Sequence, residues 1–154
     1  MALAKAKRTI KRLSGPRYVG VTAGVTCYQG GLAILASGYA RPGRQGQGAD
    51  NAAKAVDAAT YRAVGIFLET VTGGVANGDV SVNVEEGPFL FKNSAAGDAL
   101  TAADIGKRCY IIDDETVAKT NPNSTRAVAG VVTHVGSDGI MVDVTLANTA
   151  ALSA

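Results

Sequence analysis

The stretch VAGVVTHVGSDGIMVDVTL, residues 128–146, decides the fold class of this chain. Two runs rich in β-branched residues, Val128–Val135 and Ile140–Leu146, flank the segment Gly136–Gly139. β-branched residues favour strands, and a short segment rich in Gly and Asp between two such runs favours a tight turn. The sequence therefore predicts an antiparallel β-hairpin over these residues.

Strand patterns recur along the rest of the chain. Val80, Val82 and Val84 alternate with polar residues, which is the period of two that turns one face of a strand inward. Further strands are predicted at Tyr18–Cys27, Leu32–Leu35, Tyr61–Val71, Phe89–Phe91 and Cys109–Ile112. The first two of these are expected to form a hairpin around the turn at Gly30 and Gly31.

Helical patterns are few and short. Ala52–Ala59 is predicted to form one or two helical turns, and the capping arrangement Thr101–Asp104 predicts a short helix that Gly106 ends. The elements together predict a mainly β fold: a small β-barrel or β-sandwich-like domain with one or two short helices and an extended N-terminal arm.

Composition supports a single small domain. The chain has 154 residues, enough for one core, and its 19 glycines have no fixed period, so they favour many turns over long helices. Aromatic residues make up 5% and tryptophan is absent, which predicts a core of small side chains. We divide the chain into a basic arm, residues 1–17, and a β-rich domain, residues 18–154.

Charge is distributed unevenly along the sequence. Residues 1–49 carry a net charge of +8 with no acidic residue, and the remaining residues carry 13 acids and seven bases, a net charge of −6. The eight bases of the first segment are Lys5, Lys7, Arg8, Lys11, Arg12, Arg17, Arg41 and Arg44. A positive segment joined to a negative body favours association between copies or docking on an acidic surface. We therefore predict that these eight residues contact a partner.

The arm itself combines charge with apolar residues. Extended, residues 1–17 would reach roughly 50 to 60 Å, enough to cross onto a neighbouring subunit. Lys and Arg alternate with Ala, Leu and Ile, and such apolar residues favour docking in a protein groove over contact with phosphates alone. Nucleic-acid binding and a passive solubilising tail remain open as alternatives.

A second basic segment follows the early strands. Residues 41–51 read RPGRQGQGADN, which is polar, rich in Gly and without periodicity. This composition predicts an exposed flexible loop. Its glycines do not precede Lys-Ser or Lys-Thr at a helix start, so it is not predicted to bind nucleotide phosphates.

Candidate catalytic residues are sparse. His134 is the single histidine and is predicted to face outward from a strand. Asp113-Asp114-Glu115 lacks the spacing of a calcium loop and is expected to be a solvated turn. Cys27 and Cys109 lie far apart and are expected to be buried free thiols. We therefore expect a protein without catalysis, cofactor or metal.

The sequence also suggests where the chain is made. No stretch reaches the roughly 20 apolar residues of a membrane span, and the basic N-terminus lacks the apolar block of a signal peptide. We expect a soluble protein that is synthesised in a reducing cytoplasm and has no membrane partner.

The C-terminal half carries an ordered series of short motifs. They are Gly78-Asp79 before the valine alternation, Asn93–Asp98, Asp104–Lys107, Tyr110-Ile111, Asp113-Asp114 and Ala129–Val132. In this order, over residues 60 to 146, the series resembles the capsid cement or head decoration proteins of tailed bacteriophages, especially Mu-like phages. The arm and the loop at residues 41–51 have no counterpart in this resemblance.

The resemblance implies a structural role in a virion. Proteins of that family lie on the outer face of an icosahedral capsid, commonly as homotrimers, and clamp neighbouring major capsid subunits without a cofactor. The expected partners are the major capsid protein and further copies of the chain. Two alternatives remain: a nucleic-acid-binding module that uses the arm, which we consider less favoured, and a tail or baseplate component.

Overall fold

The computed structural model describes residues 17–153, and its regular elements are mainly strands. The strands are β1 Arg17–Gly20, β2 Thr26–Cys27, β3 Leu32–Ala36, β4 Tyr39–Pro42, β5 Tyr61–Phe67, β6 Val71–Thr72, β7 Ser81–Glu85, β8 Gly87–Asn93, β9 Arg108–Ile111, β10 Thr116–Ala118, β11 Val128–Gly136 and β12 Gly139–Val144. The α-helices are α1 Asn51–Ala59 and α2 Leu146–Leu152, and 3-10 helices lie at Ala96–Asp98, Ala102–Asp104 and Pro122–Ser124. The predicted fold class, a mainly β barrel-containing domain with short helices, is confirmed.

The C-terminal half closes into a five-stranded barrel in the order β10-β8-β12-β11-β9. The predicted hairpin is its centre: β11 and β12 pair antiparallel, with Val132 opposite Val142 and Gly136 opposite Gly139 at the turn. β8 pairs with β12 on one side, and β9 pairs with β11 on the other. The short strand β10 completes the ring by pairing parallel with β8 and antiparallel with β9.

The N-terminal half forms a five-stranded sheet in the order β1-β7-β5-β3-β4. Here the predicted hairpin between Tyr18–Cys27 and Leu32–Leu35 is wrong. β1 pairs with β7, β2 pairs with β6, and β3 lies between β4 and β5. The alternation of side chains indicates that a strand forms but carries no information about a distant partner, so the sequence favours the shortest connection.

Two cores of mostly small side chains lie on the two faces of this sheet. Leu32, Ile34 and Tyr61 pack from the sheet against the barrel interior, where Ile140 and Val142 are fully buried. On the opposite face, a second cluster contains the valines of β7, whose predicted inward orientation is confirmed. The barrel and the sheet therefore share one core, and the second core covers the outer face of the sheet.

Both α-helices begin at side-chain caps. Asp50 accepts a hydrogen bond from Ala53 N (2.8 Å) and starts α1 one residue before the predicted position. Thr145 accepts one from Asn148 N (3.2 Å) and starts α2, which the sequence analysis did not predict. The buried Thr149 hydroxyl donates to Ala63 O (2.8 Å) and fixes α2 against β5. Neither helix has the length and apolar character needed to span a membrane.

Candidate functional site

Three of the eight predicted contact residues lie in the described part of the chain: Arg17, Arg41 and Arg44. The other five lie outside residues 17–153; they are Lys5, Lys7, Arg8, Lys11 and Arg12. Arg17 is the first residue of β1 and forms an ion pair with Glu86. Arg17 is therefore a strand residue, although the sequence analysis assigns it to the arm.

Arg44 is held by a network within the fold. Its Nε donates to the Tyr61 hydroxyl (2.7 Å), its guanidinium lies 5.4 Å from the centre of the same ring, and its Nη2 is 3.7 Å from Asp57 Oδ2. The buried Tyr61 hydroxyl in turn donates to Asp57. Burial raises the pKa of Asp57, but the hydrogen bonds from Tyr61 and Gln47 and the charges of Arg44 and Arg41 offset this and lower the pKa.

The segment at residues 41–51 packs against the rest of the fold more closely than predicted. Residues 41–46 are buried or half-buried, and only residues 47–51 are exposed. Gly46 donates its N–H to Thr125 O (2.8 Å), and a Cβ at Gly46 would lie 1.9 Å from Lys54 O. The prediction of an exposed loop is therefore wrong for its first half, where Gly46 permits close packing against α1.

Arg41 shares this packed environment. Its Nε is buried without a hydrogen-bond partner in residues 17–153, and burial together with the nearby charge of Arg44 lowers the pKa of its guanidinium. Arg41 and Arg44 thus contact other parts of the fold, and their contact with a partner stays a prediction.

The two cysteines are core residues, as predicted. Cys27 and Cys109 are free and fully buried. Burial raises the pKa of Cys27 to about 11 and that of Cys109 to about 12. Both thiols are therefore protonated near neutral pH and are poor nucleophiles.

The remaining polar candidates also lie where the sequence predicted. His134 is exposed on β11. Asp113 Oδ1 accepts hydrogen bonds from the backbone N–H groups of Glu115 (2.9 Å) and Thr116 (2.7 Å), which closes the predicted turn. Within residues 17–153, no group of three or more His, Cys, Asp or Glu side chains is arranged to hold a metal ion.

Asp104 is the most strongly perturbed carboxylate that the structure describes. It is 2% exposed and accepts hydrogen bonds from Thr101 N (2.9 Å) and Thr101 Oγ1 (3.0 Å). Lys119 and Lys107 lie 3.4 and 3.5 Å from its two oxygens. The hydrogen bonds from Thr101, with the charge of Lys119, lower the pKa of Asp104 to about 2 in spite of its burial.

This carboxylate predicts an acid-dependent loss of stability. The folded-state pKa of about 2 lies below the unfolded value of about 3.9, so the stabilisation is complete above that value and disappears as pH falls toward 2. We expect wild-type protein to exceed D104N in urea midpoint at pH 6, with the difference narrowing at pH 2.5. The matched control is D138N, which removes an exposed carboxylate from the hairpin turn. If the difference in urea midpoint between wild-type protein and D138N narrowed equally from pH 6 to pH 2.5, the assignment to Asp104 would be contradicted.

The sequence analysis missed a set of basic residues that the fold brings together beside α2. They are Arg62, Lys107, Arg108, Lys119 and Arg126. These five residues are dispersed over 65 positions and only Lys107 and Arg108 are adjacent, so no basic run marks them in the sequence. The pairing of β9 with β11 and the docking of α2 on β5, together with the ion pairs of Lys119 and Arg126, place them on one side of the domain.

Comparisons of the chain with protein-family models, with curated protein sequences and with solved structures find no match. The interpretation of function therefore depends on the ordered motifs and on the chemistry of the described surface.

Proposed function

We propose that the chain is a structural virion protein that binds the outer surface of an icosahedral phage capsid and cements neighbouring major capsid subunits without catalysis. The observation that carries the proposal is the ordered series of motifs between Gly78 and Val132. Its expected partners are the major capsid protein and further copies of the chain, most simply in a homotrimer.

The polar residues of these motifs stabilise connections between strands, which supports a scaffold rather than a reactive centre. Asp79 accepts a hydrogen bond from Ala76 N (2.8 Å) in the loop before β7. The Asn93 amide donates to Leu100 O and accepts from Leu100 N, each at 2.9 Å, where the chain leaves β8. The motifs thus keep short loops rigid at the ends of the strands.

A rigid domain of this kind can stabilise a shell through repeated weak contacts. On a fixed lattice, each contact that a bound copy makes raises the effective concentration of the next, so that avidity exceeds the affinity of any single contact. Cementing therefore requires shape and several contact points, and it requires no reaction. Rigid loops favour such binding because little conformational entropy is lost on docking.

Immunogold labelling tests the location. Antibodies raised against the purified protein should label the heads of intact tailed-phage particles induced from the organism that carries the gene. Label confined to the tail or baseplate would replace the proposal with a tail role. Absence of label from all particles would overturn both.

Deletion of residues 2–13 tests the role of the arm. The truncated protein is expected to fold but to lose stabilisation of the capsid against heat, because the deletion removes Lys5, Lys7, Arg8, Lys11 and Arg12. Particle pelleting and the temperature of capsid disruption measure the effect, and circular dichroism checks the fold. Undiminished capsid binding by the truncated protein would contradict the arm's role.

The arm also supports nucleic-acid binding as a second candidate function, because residues 1–17 carry six bases and no acid. This alternative alone predicts binding to naked DNA with a steep dependence on salt, since each phosphate contact releases counterions. Filter binding at two salt concentrations separates the two functions. A log-log slope of several units would favour the nucleic-acid role.

A further inference from the structure

Two adjoining hollows beside α2 collect most of the positive charge of the β-rich domain. The first has a volume of about 360 Å³ and is lined by Arg62, Arg108 and Arg126. The second, of about 570 Å³, is lined by Lys107, Lys119 and again Arg108. The hollows share Arg108, Tyr110 and Leu152, so we treat them as one surface and call it the cationic groove.

The arginines of the first hollow are fixed by main-chain acceptors. Arg62 Nη1 donates to Ala59 O (2.8 Å) and Tyr61 O (2.7 Å), just beyond the end of α1. Arg108 Nη1 donates to Leu152 O (2.7 Å), at the end of α2. Helix C-termini favour cations, so these bonds orient both guanidinium groups without neutralising their charge.

The third arginine is more strongly held. Arg126 Nη1 donates to Asp98 Oδ2 (2.7 Å) and to Thr120 O (2.9 Å), and its side chain is 12% exposed. Asp98 is itself fixed by the Thr120 hydroxyl, which donates to Oδ1 at 2.6 Å. Arg126 therefore forms a rigid wall of the hollow, whereas Arg62 and Arg108 keep donors for a ligand.

The groove has more positive charge than the fold neutralises. Among residues 17–153, its five bases face two carboxylates, since Asp104 is paired with two lysines and Asp98 with Arg126, which leaves an excess of +3 from these residues. Neither Arg62 nor Arg108 forms an ion pair with a carboxylate of residues 17–153. A recessed cluster of one sign concentrates its field and attracts the opposite charge.

We propose that the cationic groove binds an acidic, extended peptide segment of the shell protein on which this chain docks. The source of the segment rests on the proposed function, whereas its chemistry rests on the groove alone. Guanidinium groups bind carboxylates through paired hydrogen bonds, and those of Arg62 and Arg108 are oriented beforehand. Hollows of a few hundred Å³ accept protruding carboxylate side chains better than they accept the convex backbone of a nucleic-acid duplex.

The groove and the arm consist of different residues of the chain, so each can be tested without changing the other. The arm supplies positive charge on a chain segment that precedes β1, and the groove supplies it on the folded domain itself. The capsid would then be contacted at two separate points on each copy, which is the condition for avidity.

Peptide binding by the full-length chain tests the proposal. The probe is a fluorescein-labelled hexaglutamate peptide at 150 mM salt, measured by fluorescence anisotropy, with hexaglutamine as the neutral peptide. We expect R62Q/R108Q to weaken hexaglutamate binding at least fivefold. The matched control K54Q/K92Q removes the same charge from outside the groove and is expected to change binding less than twofold. Equal weakening by both double variants would overturn the proposal.

Thermal unfolding by circular dichroism checks that each variant folds. If R62Q/R108Q is unfolded, K107Q/K119Q takes its place, because these lysines are 65% and 43% exposed and Asp104 keeps its hydrogen bonds from Thr101 when their charges are removed. The same expectations and the same overturning result apply to it. A 20-base-pair DNA duplex tests nucleic acid as the ligand. If wild-type protein binds the duplex more tightly than hexaglutamate, and only the groove variant loses this binding, the groove is a nucleic-acid site and the peptide proposal is overturned.

Capsid binding separates this inference from the proposed function. A folded groove variant that decorates particles as well as wild-type protein would overturn the groove's role and leave the decoration proposal intact. Failure of wild-type protein to decorate any particle would overturn the proposed function, while specific hexaglutamate binding would still support the groove as a site for acidic peptides.

Discussion

Gly65→Ala is expected to lower the free energy of unfolding by about 3 kcal/mol or more, because it combines a steric clash with backbone strain. Gly65 lies in the middle of β5, the strand shared by the two cores. A Cβ at this position would lie 1.9 Å from Glu85 O and 2.5 Å from Glu85 C. Both atoms belong to the main chain of β7, so no side-chain rotation relieves the contact.

The conformation of Gly65 adds to this cost. Its φ of +125° is one that residues with a Cβ rarely adopt. The pairing of β3 with β5 shifts register at this point, with Ala33 opposite Gly65 and Ile34 opposite Ala63. Such a β-bulge bends the strand, and here it lets the main chain of β5 approach β7. Relief of the clash would therefore require β5 and β7 to separate.

Urea and thermal unfolding measure the effect, and a loss of about 3 kcal/mol corresponds to a decrease in melting temperature of roughly 10 °C for a domain of this size. The matched control is Gly97→Ala, because an added Cβ there meets nothing within 4 Å. We expect G97A to change the free energy of unfolding by less than about 0.5 kcal/mol. A G65A protein as stable as G97A would show that β5 and β7 do not approach this closely.

The strands that sequence reasoning placed correctly are those whose signal is local. The β11–β12 hairpin needs only two β-branched runs and a turn between them, and all of that information lies within 17 consecutive residues. Helix α1 was likewise predicted within one residue, since its alanine-rich segment and Asp50 cap are adjacent in the chain. Local patterns therefore gave the type of these elements and, for the hairpin, its partner.

Pairing between distant strands could not be predicted in the same way. Val19 lies opposite Val82 in the sheet, more than 60 residues away in the chain. The alternation of side chains around Val19 is the same as in a strand that pairs within a local hairpin, so it does not reveal this distant partner. The prediction of an exposed flexible loop at residues 41–51 is wrong in part for a related reason. Gly46 belongs to a Gly-rich segment that predicts flexibility, whereas in the structure its lack of a side chain allows close approach to Lys54 O. Composition alone does not distinguish a mobile glycine from a tightly packed one.

The clustering of basic residues in the candidate site could not be predicted from the sequence either. Summed along the sequence, residues 50–154 carry −6 and suggest an acidic body. In the fold, five of the seven bases of that segment line one groove. The net charge of residues 50–154 is negative, whereas the groove that they form is positive. A net charge does not show this, because it contains no information about where each charged residue lies in the fold.

Arg44→Gln is the second change with a large expected effect, about 2 kcal/mol in the free energy of unfolding. The substitution removes the Nε donor to the buried Tyr61 hydroxyl and the ion pair between Arg44 and Asp57, and such a loss typically costs about 1–3 kcal/mol. Tyr61→Phe removes the shared hydroxyl from the same network. The double variant should therefore cost less than the two single losses added together.

The matched control is Arg17→Gln, because its ion pair with Glu86 is 35% exposed on both sides and such pairs contribute at most about 1 kcal/mol. Urea unfolding of the four variants gives the comparison, and strict additivity of R44Q and Y61F would contradict a shared network.

The same proteins, assayed for the capsid binding that we propose, test whether Arg44 contacts a partner. If R44Q loses binding only in proportion to its lost stability, Arg44 serves the fold. If a fully folded R44Q fails to bind while Y61F binds normally, Arg44 contacts the partner directly, as the charge of the first 49 residues predicted.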